Sequence, residues 1–305
     1  TYRIAIVMPS SITDLAWSQA VYQGLQNIQQ QLGGPEVLEI AYTEGMFDVA
    51  AAAQALRDYA EEGYNLVIAH GTQYGTSLFE LAPDYPETSF AWGTASDTGE
   101  DQGLTNIFAY EARAEEGGYV NGVMAGLLTA SNVIGIVGPV PAGDALLYIN
   151  GFQQGVQASN PDATILLAYT GSFGDTAAAA ETAQTQIAAG ADVLTGSAQQ
   201  VVGAIEAVQA AGGYWFGTQS DQSGQWPETV VASQVFNWTP VLGQMVELIV
   251  KGQLGGEAYN LTFANGGLRI VYGGVELPAG IVEAADAAIA SIKSGEVVVQ
   301  QELPE

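Results

Sequence analysis

The 305-residue sequence contains no cysteine, which excludes disulfide bonds, thiolate nucleophiles and cysteine-ligated metal sites. Six lysine and arginine residues stand against 33 aspartate and glutamate residues, so the formal charge is -27. A surface this negative repels the phosphates of nucleic acids and of anionic membranes. We therefore expect no nucleic acid partner, and the acidity suits solubility at high salt or at low pH outside a cell.

Long hydrophobic runs are also missing. Hydrophobic residues make up 48% of the chain, but no unbroken apolar segment reaches the ~18 residues that cross a bilayer. The sequence begins with Thr1 and runs directly into an apolar strand, which suggests that a leader or tag has been removed. The length is about twice that of a typical domain and predicts two lobes, each with its own core.

Apolar runs alternate with amphipathic helical segments along the chain. The first run is "YRIAIVMP", and the same rhythm restarts at "VIGIVGPV" after the helical segment "AEEGGYVNGVMAGLLTAS". Continuous β-branched strands that alternate with helices indicate parallel sheets covered on both faces. The sequence therefore predicts an α/β fold with two Rossmann-like lobes, each built on a parallel sheet.

The C-terminal part, from "TPVLGQMVELIVKG" onward, is too short to fold alone and is expected to complete both lobes. The chain would then cross between the lobes near Tyr110, Asn237 and Gly266, which predicts a three-stranded hinge. The predicted boundaries are residues 1–109 plus 239–264 for the N-terminal lobe and residues 110–238 plus 265–305 for the C-terminal lobe.

Ligands of open parallel sheets bind beyond the carboxyl ends of the strands, so the candidate binding residues lie in the strand-end loops. These loops combine aromatic rings with short polar groups. Trp92 and Trp238 adjoin apolar runs and are interpreted as packing residues. The ligand-binding candidates are Asp14, Trp17, Ser18, Gln19, Gln73, Tyr74, Tyr110, Phe173, Ser197, Gln199, Asp221 and Asn237.

Catalytic patterns are weak throughout. The sole histidine, His70, ends an apolar run and is interpreted as structural. The segment "GYVNGVMAG" lacks the spacing of a phosphate-binding loop and is interpreted as small-residue helix packing. The Asp144 and Asp175 loops could pair carboxylates for glycosidase-like chemistry, but their spacing indicates no separation. We expect no enzyme activity, no catalytic residue, no cofactor and no metal site.

The order and spacing of several motifs resemble the basic membrane protein (BMP) family of ABC-transporter solute-binding proteins, which include purine nucleoside receptors. The resemblance implies a type I periplasmic binding protein fold whose lobes close on the ligand. It also implies that Trp17 and Phe173 stack on the two faces of a purine and that Asp221 binds ribose hydroxyls. The matching segments are the first loop with Asp14, Trp17, Ser18 and Gln19, then "YEARAEEGGYVNGVMAGLLT", "INGFQQGVQASNPDA", "TGSFGD", "AAGADVLTGSA", "GTQSDQ" and "SQVFNWTP".

Two positions depart from the pattern of the family. Gln219 stands where the family commonly has a carboxylate, and "VFNW" lacks the lysine that nucleoside receptors often carry there, which leaves Asn237 as its polar group. The tryptophan of the first loop is similar to that of a branch of the family with the sequence "GW" at this place. A free nucleobase therefore stays open as the ligand.

The resemblance implies a monomeric, extracytoplasmic receptor of an ABC importer, in the periplasm or at the cell surface, with a purine nucleoside of the adenosine or guanosine type as ligand and a membrane permease as partner. A lipid anchor before Thr1 is compatible with this location. A free purine base, a sugar, an amino acid or another small polar solute stays open, because one fold hosts many ligands. Arg113 is the sole basic residue near a candidate loop, which disfavours a strongly anionic ligand. A transcription regulator would need a basic helix-turn-helix segment, which these residues lack, and an enzyme would turn its ligand over.

Overall fold

The computed structural model describes residues 1–302, which form two compact units. Unit 1 contains Thr1–Asp14, Ser18–Ala112 and Asn237–Leu261. Unit 2 contains Leu15–Trp17, Arg113–Phe236 and residues 262–302. Each unit is an α/β layer structure around one sheet.

Strands and helices alternate as the apolar rhythm of the sequence predicts. The strands are β1 (Tyr2–Val7), β2 (Leu38–Thr43), β3 (Leu66–His70), β4 (Ser89–Gly93), β5 (Ile107–Ala112), β6 (Val133–Gly138), β7 (Thr164–Tyr169), β8 (Val193–Gly196), β9 (Tyr214–Gln219), β10 (Val230–Phe236), β11 (Ala258–Leu261) and β12 (Leu268–Tyr272). The α-helices are α1 (Trp17–Leu32), α2 (Val49–Glu61), α3 (Gly75–Leu81), α4 (Ala114–Leu128), α5 (Gly143–Ser159), α6 (Thr176–Ala188), α7 (Val201–Ala211), α8 (Thr239–Val250) and α9 (Ile281–Ser294).

Local sequence signals set the helix ends. Asp48 precedes α2 and its carboxylate accepts a hydrogen bond from Ala51 N at 2.8 Å, which satisfies one of the free amides of the first turn. Helix α7 ends at Gly212, whose φ of 69° lies in the left-handed region that glycine adopts without strain. No α-helix within residues 1–302 combines the length and the hydropathy that a membrane-spanning helix needs.

The sheet of unit 1 has the strand order β11-β5-β4-β3-β1-β2, with parallel pairing throughout. Every residue of β3 is buried, as expected for a strand that helices cover on both faces. The core on one face of this sheet is formed by strand residues such as Val67 and Phe90 with Leu56 of α2 and Leu78 of α3.

The sheet of unit 2 has the strand order β12-β10-β9-β8-β6-β7. Its pairings are parallel except the last one, where β12 runs antiparallel to β10. Val137, Leu194 and Trp215 of this sheet pack against α6 and α7 through residues that include Ala183 and Ile205.

Glycines hold α4 and α5 of unit 2 at backbone contact. A Cβ atom on Gly155 would lie 2.0 Å from Tyr119 O, and one on Gly118 would lie 2.2 Å from Tyr148 O. Both distances are shorter than any real Cβ contact, so only glycine fits at these positions. The prediction that "GYVNGVMAG" serves helix packing is therefore confirmed.

The excess of acidic residues predicts a stability that depends on salt. At pH 7 the formal charge is -27, and raising NaCl from about 0.01 to about 1 M shortens the screening length from about 30 to about 3 Å. Because this weakens the repulsion among carboxylates, we expect the melting temperature to rise by at least ~2–4 °C, equivalent to about 1 kcal/mol. Calorimetric scans across this salt range measure the shift.

The matched control is the same titration near pH 4, because the sequence pI is about 4.1. The net charge is close to zero there, so repulsion among carboxylates contributes little. An equal salt response at pH 4 and pH 7 would assign the effect to salt-enhanced hydrophobic burial instead of charge repulsion.

Candidate ligand-binding site

The strand order of each sheet has one point at which neighbouring strands are connected in opposite directions. In unit 1 this point lies between β1 and β3, because the chain leaves β1 for β2 on one side and returns to β3 on the other. In unit 2 the same reversal lies between β6 and β8. Ligands of open α/β sheets bind at the carboxyl ends of the strands beside such points. The loops after these four strands carry Asp14, Gln73, Asp144 and Ser197.

In unit 1 the loop after β1 is tied to the start of α1. The carboxylate of Asp14 accepts hydrogen bonds from Ser18 N at 3.0 Å and from Gln19 N at 3.1 Å. Ser10 Oγ donates to the same carboxylate and lies 2.8 Å from Ser18 Oγ. These contacts satisfy the first amides of the helix and fix the loop. The structure thus brings three of the predicted residues together at the carboxyl end of β1.

A buried aromatic cluster closes the carboxyl end of β3 and β5 in unit 1. His70 Nδ1 lies 2.6 Å from the hydroxyl of Tyr110, and the indole of Trp238 packs edge-on against both rings. Burial raises the pKa of Tyr110 well above its ordinary value, so the phenol stays protonated. His70 is thus a buried, hydrogen-bonded member of this cluster. Trp238 packs here as predicted, with Asn237 half-buried beside it.

The loop after β3 places Gln73 and Tyr74 in different environments. Gln73 is half-buried, whereas Tyr74 is fully buried and its hydroxyl donates to Met46 O at 2.5 Å. Trp92 Nε1 donates to Gly71 O at 3.1 Å, which fastens β4 to the same loop.

In unit 2 three buried polar atoms at the carboxyl ends of β8 and β9 have no hydrogen-bond partner. They are Ser197 Oγ, Gln199 Oε1 and Gln219 Oε1. Burial of an unpaired polar group costs about 1–3 kcal/mol, so native proteins pair most of their buried polar atoms.

Strained backbone coincides with these atoms. Ala198 has a φ of 70° and Gln219 a φ of 73°, and Leu15, which belongs to the same unit, has a φ of 56°. Left-handed conformations at residues other than glycine cost of order 1–3 kcal/mol and concentrate at ligand sites. The strain supports this edge of unit 2 as a binding surface.

The loop that carries Phe173 is attached to the end of β8. Gln200 N donates to Phe173 O at 2.9 Å, and Thr170 Oγ1 donates to Gln200 Oε1 at 2.6 Å. These bonds hold the backbone of Phe173, whose side chain is half-buried, beside the segment that contains Ser197 and Gln199. The structure thus brings these three predicted residues together.

Gln219, which ends β9, and the polar residues that follow it have distinct contacts. Gln219 Nε2 donates to Asp144 Oδ2 at 2.7 Å, Ser220 Oγ donates to Ala16 O at 2.8 Å, and Gln222 Oε1 accepts from Trp215 Nε1 at 2.9 Å. In contrast, Asp221 is exposed and its Oδ1 accepts from Ser223 N and Ser223 Oγ within a local turn. The ribose contact of Asp221 stays a prediction.

Trp17 is buried in unit 2, with only 5% of its surface exposed. Its indole meets the ring of Phe236 edge-on, with the ring centroids 6.4 Å apart. Phe236 is the last residue of β10, so the tryptophan lies at the carboxyl edge of the sheet. This position is compatible with both a stacking and a packing role.

A buried hydrogen-bond network joins α4 and α5 to β8 and β9. Asn121 Nδ2 donates to the hydroxyl of Tyr148 at 3.0 Å, which lies 2.8 Å from Thr195 Oγ1, and Thr195 Oγ1 donates to Phe216 O. Burial raises the pKa of Tyr148 to about 12, so it stays a neutral donor. The network links β8 and β9 to α4 and α5 and so fixes the positions of the residues at the ends of these two strands.

Sequence reasoning missed the pairing of Gln219 with Asp144. Gln219 is the polar residue that ends the buried strand "YWFGTQ", a signal that could have identified it. Its partner follows β6 in the loop "GPVPAGD", and their sequence separation of 75 residues hides the contact.

Three observations concern other kinds of functional site: metal ligands, the carboxylate of Asp175 and a cavity in unit 1. Within residues 1–302 no group of three or more His, Asp or Glu side chains could hold a metal ion. Asp175 is exposed and caps α6, where it accepts from Ala178 N. A cavity of about 510 Å³ in unit 1 is lined by residues that include Tyr64, Asn65, Tyr85 and Thr88. It lies at the amino ends of β3 and β4, opposite to the edge where ligands of such sheets bind.

Comparison with known proteins identifies one family and several related binding proteins. Residues 1–301 match the Bmp family model, described as ABC transporter substrate-binding protein PnrA-like. A putative ABC transporter glucose-binding protein of Haloferax volcanii is 28% identical over 259 residues, which cover 85% of this chain but only 64% of the relative. The chain thus spans less than two thirds of that protein. A purine-binding protein of Brucella abortus is 26% identical over 285 residues, 93% of this chain and 79% of the relative.

A solved structure supports the architecture. An ABC transporter solute-binding protein from Aeropyrum pernix superposes with a TM-score of 0.82 at 20% identity, covering 99% of this chain and 94% of the other. The likeness confirms the predicted fold of two α/β lobes with mostly parallel sheets.

Proposed function

The chain belongs to the Bmp family of PnrA-like ABC transporter substrate-binding proteins, and from this we propose that it is the receptor of an ABC importer for a purine nucleoside. The observation that carries the proposal is the set of unpartnered buried atoms of Ser197, Gln199 and Gln219 at the carboxyl edge of unit 2. A small polar ligand at this edge would complete their hydrogen bonds.

A purine is favoured over other small solutes by the aromatic side chains at the same edge. The backbone of Phe173, whose ring is half-buried, is held beside the segment with Ser197 and Gln199, and Trp17 lies at the end of β10, the strand next to β9. Stacking of a base on an aromatic ring is worth about 1–3 kcal/mol. The purine-binding relative from Brucella abortus supports the same class of ligand.

The remaining parts of the proposal follow from the family. The receptor would be a monomer outside the cytoplasm and would deliver its ligand to a membrane permease. Its two lobes, with the boundaries predicted from the sequence, would close on the ligand. Asp221 would bind the ribose hydroxyls. The other predicted residues would also contribute to the site: Asp14, Ser18, Gln19, Gln73, Tyr74, Tyr110 and Asn237. The ligand would leave the receptor chemically unchanged.

A sugar is the second candidate ligand. The relative from Haloferax volcanii carries the description of a putative glucose-binding protein, and the carbonyl oxygens of Gln199 and Gln219 can accept hydrogen bonds from hydroxyl groups. In this case the aromatic rings would pack on the apolar face of the sugar.

Thermal unfolding with added ligand tests the proposal. Adenosine, guanosine or inosine at ~100 times its dissociation constant should stabilise the folded protein by about 2.7 kcal/mol, because only the folded state binds it. Free ribose should leave the melting curve unchanged, since it lacks the stacking surface. The protein is first unfolded and refolded to release any bound molecule, which native mass spectrometry of the untreated protein identifies. A shift with glucose or an amino acid, and none with any purine, refutes the purine assignment.

A further inference from the structure

The side chain of Gln219 is held in one orientation by Asp144. Gln219 is 2% exposed, and its Nε2 donates to Asp144 Oδ2 at 2.7 Å. A carboxylate accepts hydrogen bonds, so the amide nitrogen must face Asp144 and the carbonyl oxygen must face away. That oxygen, Oε1, is buried and has no partner. The contact thus turns a side chain that could donate or accept into one that presents only an acceptor.

Two of the three unpartnered buried atoms at this edge are carbonyl oxygens. Gln199 Oε1 is a second unpartnered carbonyl oxygen, and Ser197 Oγ is a hydroxyl that can donate or accept. Strands β8 and β9, which carry these residues, are direct neighbours. The strand-end segments 138–144, 170–175, 197–200 and 219–224 contain no lysine, arginine or histidine. A ligand at this edge meets the fixed acceptor Gln219 Oε1 and no positive charge from these segments.

We propose that Gln219 is a specificity-determining residue and Asp144 its positioning residue, and that together they select an uncharged ligand that donates hydroxyl or amine hydrogens. The inference rests on the proposed function in that it takes this edge as the ligand site. It goes further by naming the class of group that is accepted and the class, phosphorylated or carboxylated compounds, that is rejected. A phosphate or carboxylate would place its oxygens against carbonyl oxygens and near the Asp144 carboxylate.

Isothermal titration calorimetry with six compounds tests the selection. The neutral compounds are adenosine, inosine, D-ribose and D-glucose, and the anionic ones are adenosine monophosphate and D-gluconate. We expect wild-type protein to bind at least one neutral compound. We expect it to bind the anionic compound of the same class, adenosine monophosphate for a nucleoside or D-gluconate for a sugar, at least 100-fold more weakly. Equal affinity for an anionic counterpart, or no binding of any neutral compound, overturns the inference. If only sugars bind, the purine proposal fails while the acceptor inference stands.

Variants of the two residues test how the selection is made. Gln219→Glu places two carboxylates in contact, so the affinity for the neutral compound should fall at least tenfold. The double variant with Asp144→Asn restores a donor opposite an acceptor and should recover affinity to within about threefold. Asp144→Asn alone no longer fixes the orientation of the Gln219 amide, because asparagine can both donate and accept hydrogen bonds. The ratio of neutral to anionic affinity should therefore narrow at least tenfold. A merely structural contact would leave this ratio unchanged.

The control for charge is Gln209→Glu, which makes the same substitution at an exposed position of α7 and should leave both affinity and selectivity unchanged. Melting curves of each variant establish that it is folded. The inference fails if Gln219→Glu binds like wild type, or if the double variant binds no better than Gln219→Glu. Since Asp144→Asn is close to isosteric, its selectivity ratio decides the matter should Gln219→Glu not fold.

Discussion

Replacing Gly155 with alanine is expected to destabilise unit 2 by about 3 kcal/mol, at the upper end of the range for overpacked cores. The added Cβ would lie 2.0 Å from the backbone oxygen of Tyr119. A backbone atom within a helix cannot rotate away as a side chain does, so α4 and α5 would have to separate along their whole contact. Equilibrium unfolding in urea, with separate transitions fitted where they occur, measures the loss.

The chain offers a matched control in Gly243, which lies in the interior of α8. No atom lies within 4 Å of the position its Cβ would take. Gly243→Ala should therefore stabilise the protein by roughly 0.5–1 kcal/mol, the usual gain for this exchange within a helix. Equal stability of the Gly155→Ala variant and wild type would contradict the backbone contact between α4 and α5.

Replacing Trp17 with alanine is expected to have two separable effects. Loss of a buried tryptophan side chain costs about 3–5 kcal/mol of folding stability, and loss of a stacking surface costs about 1–3 kcal/mol of nucleoside binding. The first expectation follows from the burial of the ring against Phe236, and the second from the proposed function. Urea unfolding measures the first and calorimetry with adenosine, at a temperature where the variant is folded, the second.

Trp226 provides the comparison, because it is also in unit 2 and is 6% exposed against 5% for Trp17. It packs in the hydrophobic core with Trp215 and Val230. Trp226→Ala should therefore lose similar folding stability and keep its affinity for the ligand. If both variants lose stability and neither loses affinity, Trp17 is a packing residue and the stacking role is wrong.

The elements of the fold could be predicted from sequence because buried parallel strands read as unbroken apolar runs. The run "NLVIAHG" predicts β3, and the structure buries every residue of this strand. The direction of β12 could not be read in the same way. An apolar run does not indicate the direction of its strand in the sheet, and the long connection from β10 through α8 and β11 allows either direction.

Contacts between distant residues limited what could be predicted of the site. The strand-end rule located the loops of Phe173, Ser197 and Gln199, which the structure joins through the hydrogen bond from Gln200 N to Phe173 O. The assignment of Leu15–Trp17 to unit 2 depends on contacts such as Ser220 Oγ to Ala16 O, which join residues 204 positions apart. Gln219 was recognised only as a departure from the family pattern, because its partner Asp144 could not be identified without the structure.

The contact between Gln219 and Asp144 also constrains the order in which mutations can accumulate. A change of Gln219 to glutamate before Asp144 changes would pass through an intermediate with two carboxylates at 2.7 Å, the present distance between Nε2 and Oδ2. A change of Asp144 to asparagine first avoids that repulsion, and the exchange to glutamate can then follow. The two positions are therefore epistatic, and a lineage can reach a carboxylate at position 219 by one path far more readily than by the other.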